Sequence, residues 1–385
     1  MSSIVIQGDT SGSITVEAPS VAGTHTLTLP KATGNIATDA TVGLGTKNLI
    51  INGDMRIDQR NAGASVTPTN GSFITDRFRQ LLSTTNKYTG QQVSDAPSGF
   101  TNSLKLTSLS AYTVPNNFVF GVGQRIEGNN IAHLDWGTAN AKDVTLSFWV
   151  KSSLTGTLSG AVTNNTDAAY PFDYTISSAN TWEKKTINIS GSTIGTWLTT
   201  NGIGVDIKYM IGIDPAGIWA NTPNVWTAAN EFGATTQNVN IVGTSGATWQ
   251  ITGVQLEVGE NATPFENRMY SQELAMCQRY FYSLGGTANY EFMTHGMYVG
   301  TTTVLLRAEL PVKMRAAPTL GSTGTFLAKS GNSNLACASF SVDQAATQTF
   351  SFSATISGGS STVGYATLMF ANASTATRLT FSAEL

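Results

Sequence analysis

Apolar and polar side chains alternate along Val144-Thr145-Leu146-Ser147-Phe148-Trp149-Val150, which places Val144, Leu146, Phe148 and Val150 on one face of an extended chain. The same period of two runs through Thr186-Ile187-Asn188-Ile189 and through Thr248-Trp249-Gln250-Ile251-Thr252-Gly253-Val254-Gln255-Leu256. Clusters of Gly, Pro and Asn separate such runs over residues 48–270, the pattern of a two-sheet sandwich or jelly roll. Helical spacing replaces it once. Over 271–282, Leu274, Cys277 and Phe281 form an apolar stripe, Ser271 is the expected cap, Glu273 lies in the first turn and Gly285-Gly286 ends the element. The span 271–286 is therefore read as a connecting helix. Alternation resumes in 301–310, 349–356, 363–370 and 378–385, predicting a C-terminal β-sandwich over 287–385.

The beginning of the chain differs. Residues 1–72 contain no Phe, Tyr or Trp, although Ser3-Ile4-Val5-Ile6, Ser13-Ile14-Thr15-Val16 and Thr26-Leu27-Thr28-Leu29 read as short strands. So little large apolar surface does not support a small independent domain. Residues 1–47 are therefore expected to be an attachment segment that winds together with identical copies or docks onto another protein, with a Gly, Ala and Thr-rich exit linker over 34–46. The fold class is all-β with one short helix.

Only 12% of the 385 residues are charged, about half the ~25% of an average soluble domain, and mean hydropathy is −0.03. Such a chain is not of the disordered class, which pairs low hydrophobicity with high charge. A net charge of −3 without a basic stripe excludes a nucleic-acid groove as the expectation. No apolar run reaches the ~18–20 residues of a bilayer span, so no membrane insertion is expected. Met1-Ser2-Ser3-Ile4 lacks a charged n-region and an apolar h-region, which predicts synthesis in the cytoplasm. Cys277 and Cys337 provide neither a disulfide framework nor metal-ligand spacing and read as buried thiols.

Catalytic sets are absent from the sequence. His25, His133 and His295 each stand alone, and no zinc, phosphate-loop or nucleotide motif occurs. Asp206 with Asp214, or Glu257 with Glu260, are carboxylates at arbitrary spacing that strand-edge solvation explains. The chain is expected not to be an enzyme. Recognition remains: sugars present apolar ring faces and dense hydroxyls, and are gripped by aromatic rings beside Asn, Asp and Gln. Residues 214–226 hold Trp219, Asn221 and Trp226 in a Pro, Gly and Asn-rich loop, and Trp136 follows His133 and Asp135. These four are the glycan-binding candidates. Trp149 and Trp249, on strands, belong to the fold. Asp54, Asp58 and Glu257 are hard oxygen donors of the kind calcium takes, and are its candidates.

Several runs together carry a resemblance. Asn48-Leu49-Ile50-Ile51-Asn52-Gly53-Asp54-Met55, Phe73-Ile74-Thr75-Asp76-Arg77-Phe78, Leu146-Ser147-Phe148-Trp149-Val150-Lys151 and Ile251-Thr252-Gly253-Val254-Gln255-Leu256-Glu257 resemble, in that order, the jelly rolls of carbohydrate-binding modules. Ala262-Thr263-Pro264-Phe265-Glu266 followed by Cys277-Gln278-Arg279-Tyr280-Phe281 is similar to tail fibres and appendages of bacteriophages. The run Gly8-Asp9-Thr10-Ser11-Gly12-Ser13-Ile14-Thr15 resembles their mounting segment, and Leu310-Pro311-Val312-Lys313-Met314-Arg315 their distal ends. The resemblance implies a homotrimeric virion appendage. Residues 1–47 would hold phage tail or adaptor proteins, and the body would adhere to host polysaccharide or lipopolysaccharide, with 287–385 a candidate receptor-contacting tip. A structural virion decoration protein and a polysaccharide depolymerase are the alternatives. The resemblance carries over no individual sugar-contacting residue.

Overall fold

The computed structural model describes Ser3–Gln7, Ser13–Glu17 and residues 47–385. The expected strand at Thr26-Leu27-Thr28-Leu29 and the linker 34–46 lie outside the described residues. The chain divides into two compact units, Met1–Leu44 and Gly45–Leu385. In the first, β1 (Ser3–Gln7) and β2 (Ser13–Glu17) pair antiparallel, with Val5 opposite Thr15.

The second unit is almost entirely β. Its sandwich comprises β3 (Arg79–Leu82), β4 (Tyr88–Val93), β5 (Ser103–Ser108), β6 (Val119–Glu127), β7 (Val144–Ser152), β8 (Gly156–Thr163), β9 (Ala169–Ile176), β10 (Glu183–Ile189), β11 (Ile203–Ile213) and β14 (Thr248–Val258). A two-stranded parallel pair, β12 (Ala220–Asn221) and β13 (Gly233–Ala234), lies in the connection between β11 and β14. The first sheet has the order β10-β7-β14-β5-β4 and the second β3-β6-β11-β8-β9. Period-two alternation sends Val144, Leu146, Phe148 and Val150 inward, as the sequence predicts, against Ile207, Tyr209 and Phe172 of the facing sheet. Trp249 is fully buried in this core and donates its indole N–H to the Tyr174 hydroxyl at 3.1 Å.

Asn48-Leu49-Ile50-Ile51-Asn52-Gly53-Asp54-Met55 does not form the opening strand that the resemblance to carbohydrate-binding modules implies. Asn52 and Met55 take left-handed backbone conformations (φ 59° and 58°), which break a ladder. The segment is tied down singly instead: Leu49 N–H donates to the Leu256 carbonyl at 2.9 Å, and Gln124 clamps Ile51 through both its N–H and its carbonyl. The helix also differs from its expected bounds. Helix α1 covers Tyr270–Gln278, and the orphan N–H of Met269 is met by the Gln272 side chain, so Ser271 lies inside the first turn rather than capping it. Glu273 is not a surface anion at the helix start; it turns inward to accept the Asn52 N–H and to face Arg268. Phe281 leaves the helix and opens the next strand, because Cys277 and Tyr280 already fill the contact with Ile51 and Ile57.

The C-terminal block is layered β-structure whose longer strands join into a ring. After β15 (Phe281–Gly285) come β16 (Phe292–Tyr298), β17 (Thr303–Glu309), β18 (Thr319–Thr323), β19 (Phe326–Ser330), β20 (Ser333–Ala345), β21 (Thr349–Ser357), β22 (Ala366–Ala371) and β23 (Arg378–Ser382). Six of them close a barrel in the order β16-β17-β21-β20-β19-β22, and β15-β23-β18 form a three-stranded sheet beside it. Instead of two facing sheets with four edges, β22 pairs with both β16 and β19, which removes the open edges. Phe326, Phe350, Phe352 and Phe381 pack in its core.

An ionic seam joins sandwich and barrel. Glu384 bonds Arg60 at 2.5 Å and also Arg77, whose guanidinium lies 3.5 Å from the Tyr280 ring centroid. Beside it, the buried Asp76 carboxyl is pushed up to about 7 by burial, which outweighs the pull of Arg60. Its folded value thus exceeds the unfolded ~3.9, so its contribution to stability is complete below pH ~4 and lost as pH rises through 7. Glu273, raised by burial, acts with the same sign. Calorimetry should show Asp76→Asn flattening the fall in Tm of the parent between pH 5 and 8. Parallel curves would refute this assignment.

Candidate functional site

Strand β11 carries charge where its neighbours carry oil. Val205, Ile207 and Tyr209 point into the sandwich, so Asp206 and Lys208 share the opposite face of the second sheet. Antiparallel register sets Asp206 beside Arg125 of β6, Lys208 beside Gly123, and Arg79 of β3 on the far side of Gly123. Glycine is required there: a Cβ on Gly121 or Gly123 would lie 2.3 or 2.4 Å from the carbonyl oxygen of Tyr209 or Ile207. Gly123 thus places no side chain between Arg79 of β3 and Lys208 of β11.

Residues 214–240 cross this face as a strap. Trp219 anchors it by donating its indole N–H to the Asn117 carbonyl at 3.0 Å and by packing edge-on against Phe232, with ring centroids 5.1 Å apart. Phe232 in turn lies 3.9 Å from the Lys208 ammonium, which donates to Asn230 Oδ1 at 3.0 Å. Asn221 donates to Glu231 Oε1 at 3.3 Å. Between strap and sheet edge opens a cleft of about 420 Å³ lined by Asn70, Arg79, Ser83, Arg125, Asn165 and Phe232, with Leu81, Leu82 and Val119 at its apolar side.

Charge in this cleft is dense and incompletely paired. Asp206 is wholly buried, and its Oδ2 faces Arg79 at 2.9 Å and Arg125 at 3.5 Å. Asp206 Oδ1, Glu231 Oε2 and the Nε groups of Arg79 and Arg125 have no hydrogen-bond partner. Burial lowers the Arg79 and Lys208 values, the latter to about 8, against the attraction of Asp206. Chemically the cleft offers charged donors, buried acceptors and one aromatic edge. It holds no nucleophile–base pair. Asp206 and Asp214 sit at opposite parts of β11 and its exit, eight residues or roughly 26 Å of strand apart, far beyond the ~5–9.5 Å of a glycosidase pair.

The four aromatic and amide candidates fall in two places. Trp219 and Asn221 belong to the strap over the cleft. Trp136 and Trp226 lie instead in an aromatic cluster with Trp197 and Tyr170. Trp136 is only 6% exposed, both its neighbours are tryptophans, and its indole N–H is donated to the Lys142 carbonyl at 2.8 Å. Trp226 stays half-buried and donates to the Ser190 carbonyl, next to a cavity of about 280 Å³ lined by Asp143, Tyr170, Asn188 and Glu260.

The calcium candidates are not brought together. Asp54 pairs with Arg56, Asp58 accepts the N–H groups of Arg60, Asn61 and Gly63, and Glu257 accepts from Gln255 and Thr263. Among the described residues no group of three or more His, Cys, Asp or Glu could hold a metal. Nor is any helix there long and apolar enough to cross a membrane. Both thiols are free: Cys277 is buried, and burial pushes Cys337 up to about 12.

Arg79, Arg125, Lys208, Glu231 and Phe232 were not legible as site residues from aromatic-loop logic. The available signal is the pair of charges at i and i+2 in the apolar run Gly204-Val205-Asp206-Ile207-Lys208-Tyr209, which must share one sheet face.

No protein-family model and no curated protein matches the sequence. Among solved structures, the chain is similar to a protein of Bacteroides thetaiotaomicron described as sugar binding, at 14% identity over 55% of this chain and 100% of that one, with a TM-score of 0.35. It is similar to the enzymatically active domain of tailspike protein 4 of bacteriophage CBA120 (14% identity, 55% of this chain, 21% of that one, TM-score 0.30). A third is a family 11 carbohydrate-binding module of Clostridium thermocellum in complex with a β-1,3-1,4-mixed-linked tetrasaccharide (12% identity, 52% of this chain, 96% of that one, TM-score 0.26). The structural neighbours are thus carbohydrate-binding modules and a phage tailspike domain, all at scores below 0.5.

Proposed function

We propose that the chain is a non-catalytic, saccharide-binding adhesin of the phage tail-fibre kind, which grips sugars in the cleft on its second sheet. The observation that carries this reading is the cleft itself: charged hydrogen-bonding groups and the Phe232 ring line one open trough of about 420 Å³. Such a mixture suits a ligand with apolar ring faces and many hydroxyls. Residues 1–47 would mount the protein on the virion. Repeated copies, in a homotrimer, would raise the avidity of weak single sites by making later binding steps intramolecular.

A glycan array of bacterial surface polysaccharides tests it. Full-length protein should be retained on a subset of glycans. Phe232→Ala, which removes the ring but no charge, should weaken that binding about tenfold, ~1.4 kcal/mol. Retention unchanged in Phe232→Ala would move the site elsewhere. Removing residues 1–47 should leave a folded body that retains glycan binding and no longer joins the particle.

A second reading, a decoration protein that contacts only other virion components, is favoured by one feature. Phe292, Met297, Tyr365 and Leu368 stand about half exposed on β16, β22 and the turn before β22. Imaging of the particle separates the two readings: a barrel and sandwich projecting into solvent indicate adhesion, and bodies buried between neighbours indicate scaffolding.

A further inference from the structure

On the reading that the second-sheet cleft holds a saccharide, we propose that its ligand is acidic: a polysaccharide unit whose oxyanion sits between Arg79 and Arg125. Two cations line the cleft, Arg79 and Arg125, a third, Lys208, is buried beside them, and two carboxylates, Asp206 and Glu231, answer the three. One positive charge is left over in a place largely removed from water. The side chains of Arg79 and Arg125 are 12% and 21% exposed, enough to be reached at the rim and too little to be fully hydrated. Buried charge is costly unless paired, so an anion completing the set gains more here than on an open surface.

The donors are placed for this. Arg79 gives its Nη2 to Asp206 Oδ2 and Arg125 turns its Nε toward the same oxygen, so both guanidiniums are fixed beside the cleft that they line. Guanidinium forks match the oxygens of carboxylates, phosphates and sulfates, and charge-assisted bonds of this kind are about twice as strong as neutral ones. Asp206 keeps the forks from swinging outward. A neutral sugar would meet the same hydroxyl-binding groups and leave the surplus charge unanswered. Arg125 also donates to the Leu385 carbonyl at 2.7 Å, and its own carbonyl accepts from Arg77, so the seam to the barrel holds it in place.

The test uses full-length protein on an array of four classes of oligosaccharide: uronate-bearing, phosphorylated, sulfated, and neutral. Binding to an acidic class at least tenfold tighter than to the neutral class, and weakened by added salt, is expected. Whether carboxylate, phosphate or sulfate is preferred identifies the source of the oxyanion. Arg79→Gln should abolish the preference, and Arg79→Lys, which keeps the charge but not the fork, should restore part of it. Melting curves establish that both variants are folded. Equal binding of neutral and acidic sugars would overturn the acidic assignment while leaving saccharide binding in place. Binding to none of the four would remove both. An acidic preference untouched in a folded Arg79→Gln variant would also overturn it, since the oxyanion would then sit elsewhere.

Discussion

Replacing Glu384 by alanine is expected to destabilise the second unit by about 3–5 kcal/mol, the cost of breaking a buried ion pair from one side. Glu384 is 9% exposed and is the carboxylate that answers Arg77, itself 2% exposed, and Arg60. Truncation leaves two guanidiniums in a dry seam without their shared carboxylate, beside the Phe73, Tyr280 and Phe281 rings and an Asp76 carboxyl that burial pushes up to about 7. Spread over more than 300 residues, that loss lowers Tm by about 5 °C. The double variant Arg77→Met/Glu384→Leu, which removes charge from both sides, should recover much of it, because apolar replacement of a buried pair is often neutral or better. Equal Tm values for Glu384→Ala and the parent would show that the seam is not what joins barrel to sandwich.

Trp136→Ala is expected to cost a similar 3–5 kcal/mol and to leave saccharide binding intact. The ring lies between Trp197 and Trp226, with centroid separations of 4.6 and 5.4 Å, and its loss opens a cavity that these two large aromatic neighbours cannot refill. Chemical denaturation followed by fluorescence measures the loss, and the array measures the binding. A variant of normal stability that no longer binds glycans would return Trp136 to the site and contradict its placement in the core.

These two residues also show what sequence could and could not supply. The alternation of Val144 to Val150 made the sandwich legible, since period two forces alternate residues to one face. In Thr248 to Leu256, by contrast, a bulge between Thr252 and Gln255 shifts the phase and brings Val254 and Leu256 to the same core as Trp249 and Ile251. That β14 lies between β7 and β5 was not legible, because strand order depends on pairings across more than a hundred residues. Barrel closure was hidden for a related reason: an open sheet and a closed one share the same alternation. Nothing local marks Glu384 as the partner of Arg77, 307 residues away. Trp136 was legible as a large ring in a loop, but loop residence does not distinguish a solvent platform from the cap of a core. Conversely, Asp206 is visible in the sequence, but nothing local shows that the register sets it beside Arg125 of β6 or that the Arg79 side chain of β3 reaches it.

The most direct test of the proposed cleft is a crystal structure of the full chain soaked with a saccharide that the array retains. Sugar density is expected in the cleft lined by Arg79, Arg125 and Phe232, with an oxyanion within hydrogen-bond distance of both guanidiniums and a ring against Phe232. Density confined to the barrel, or to the cavity beside Trp226 and Tyr170, would contradict it.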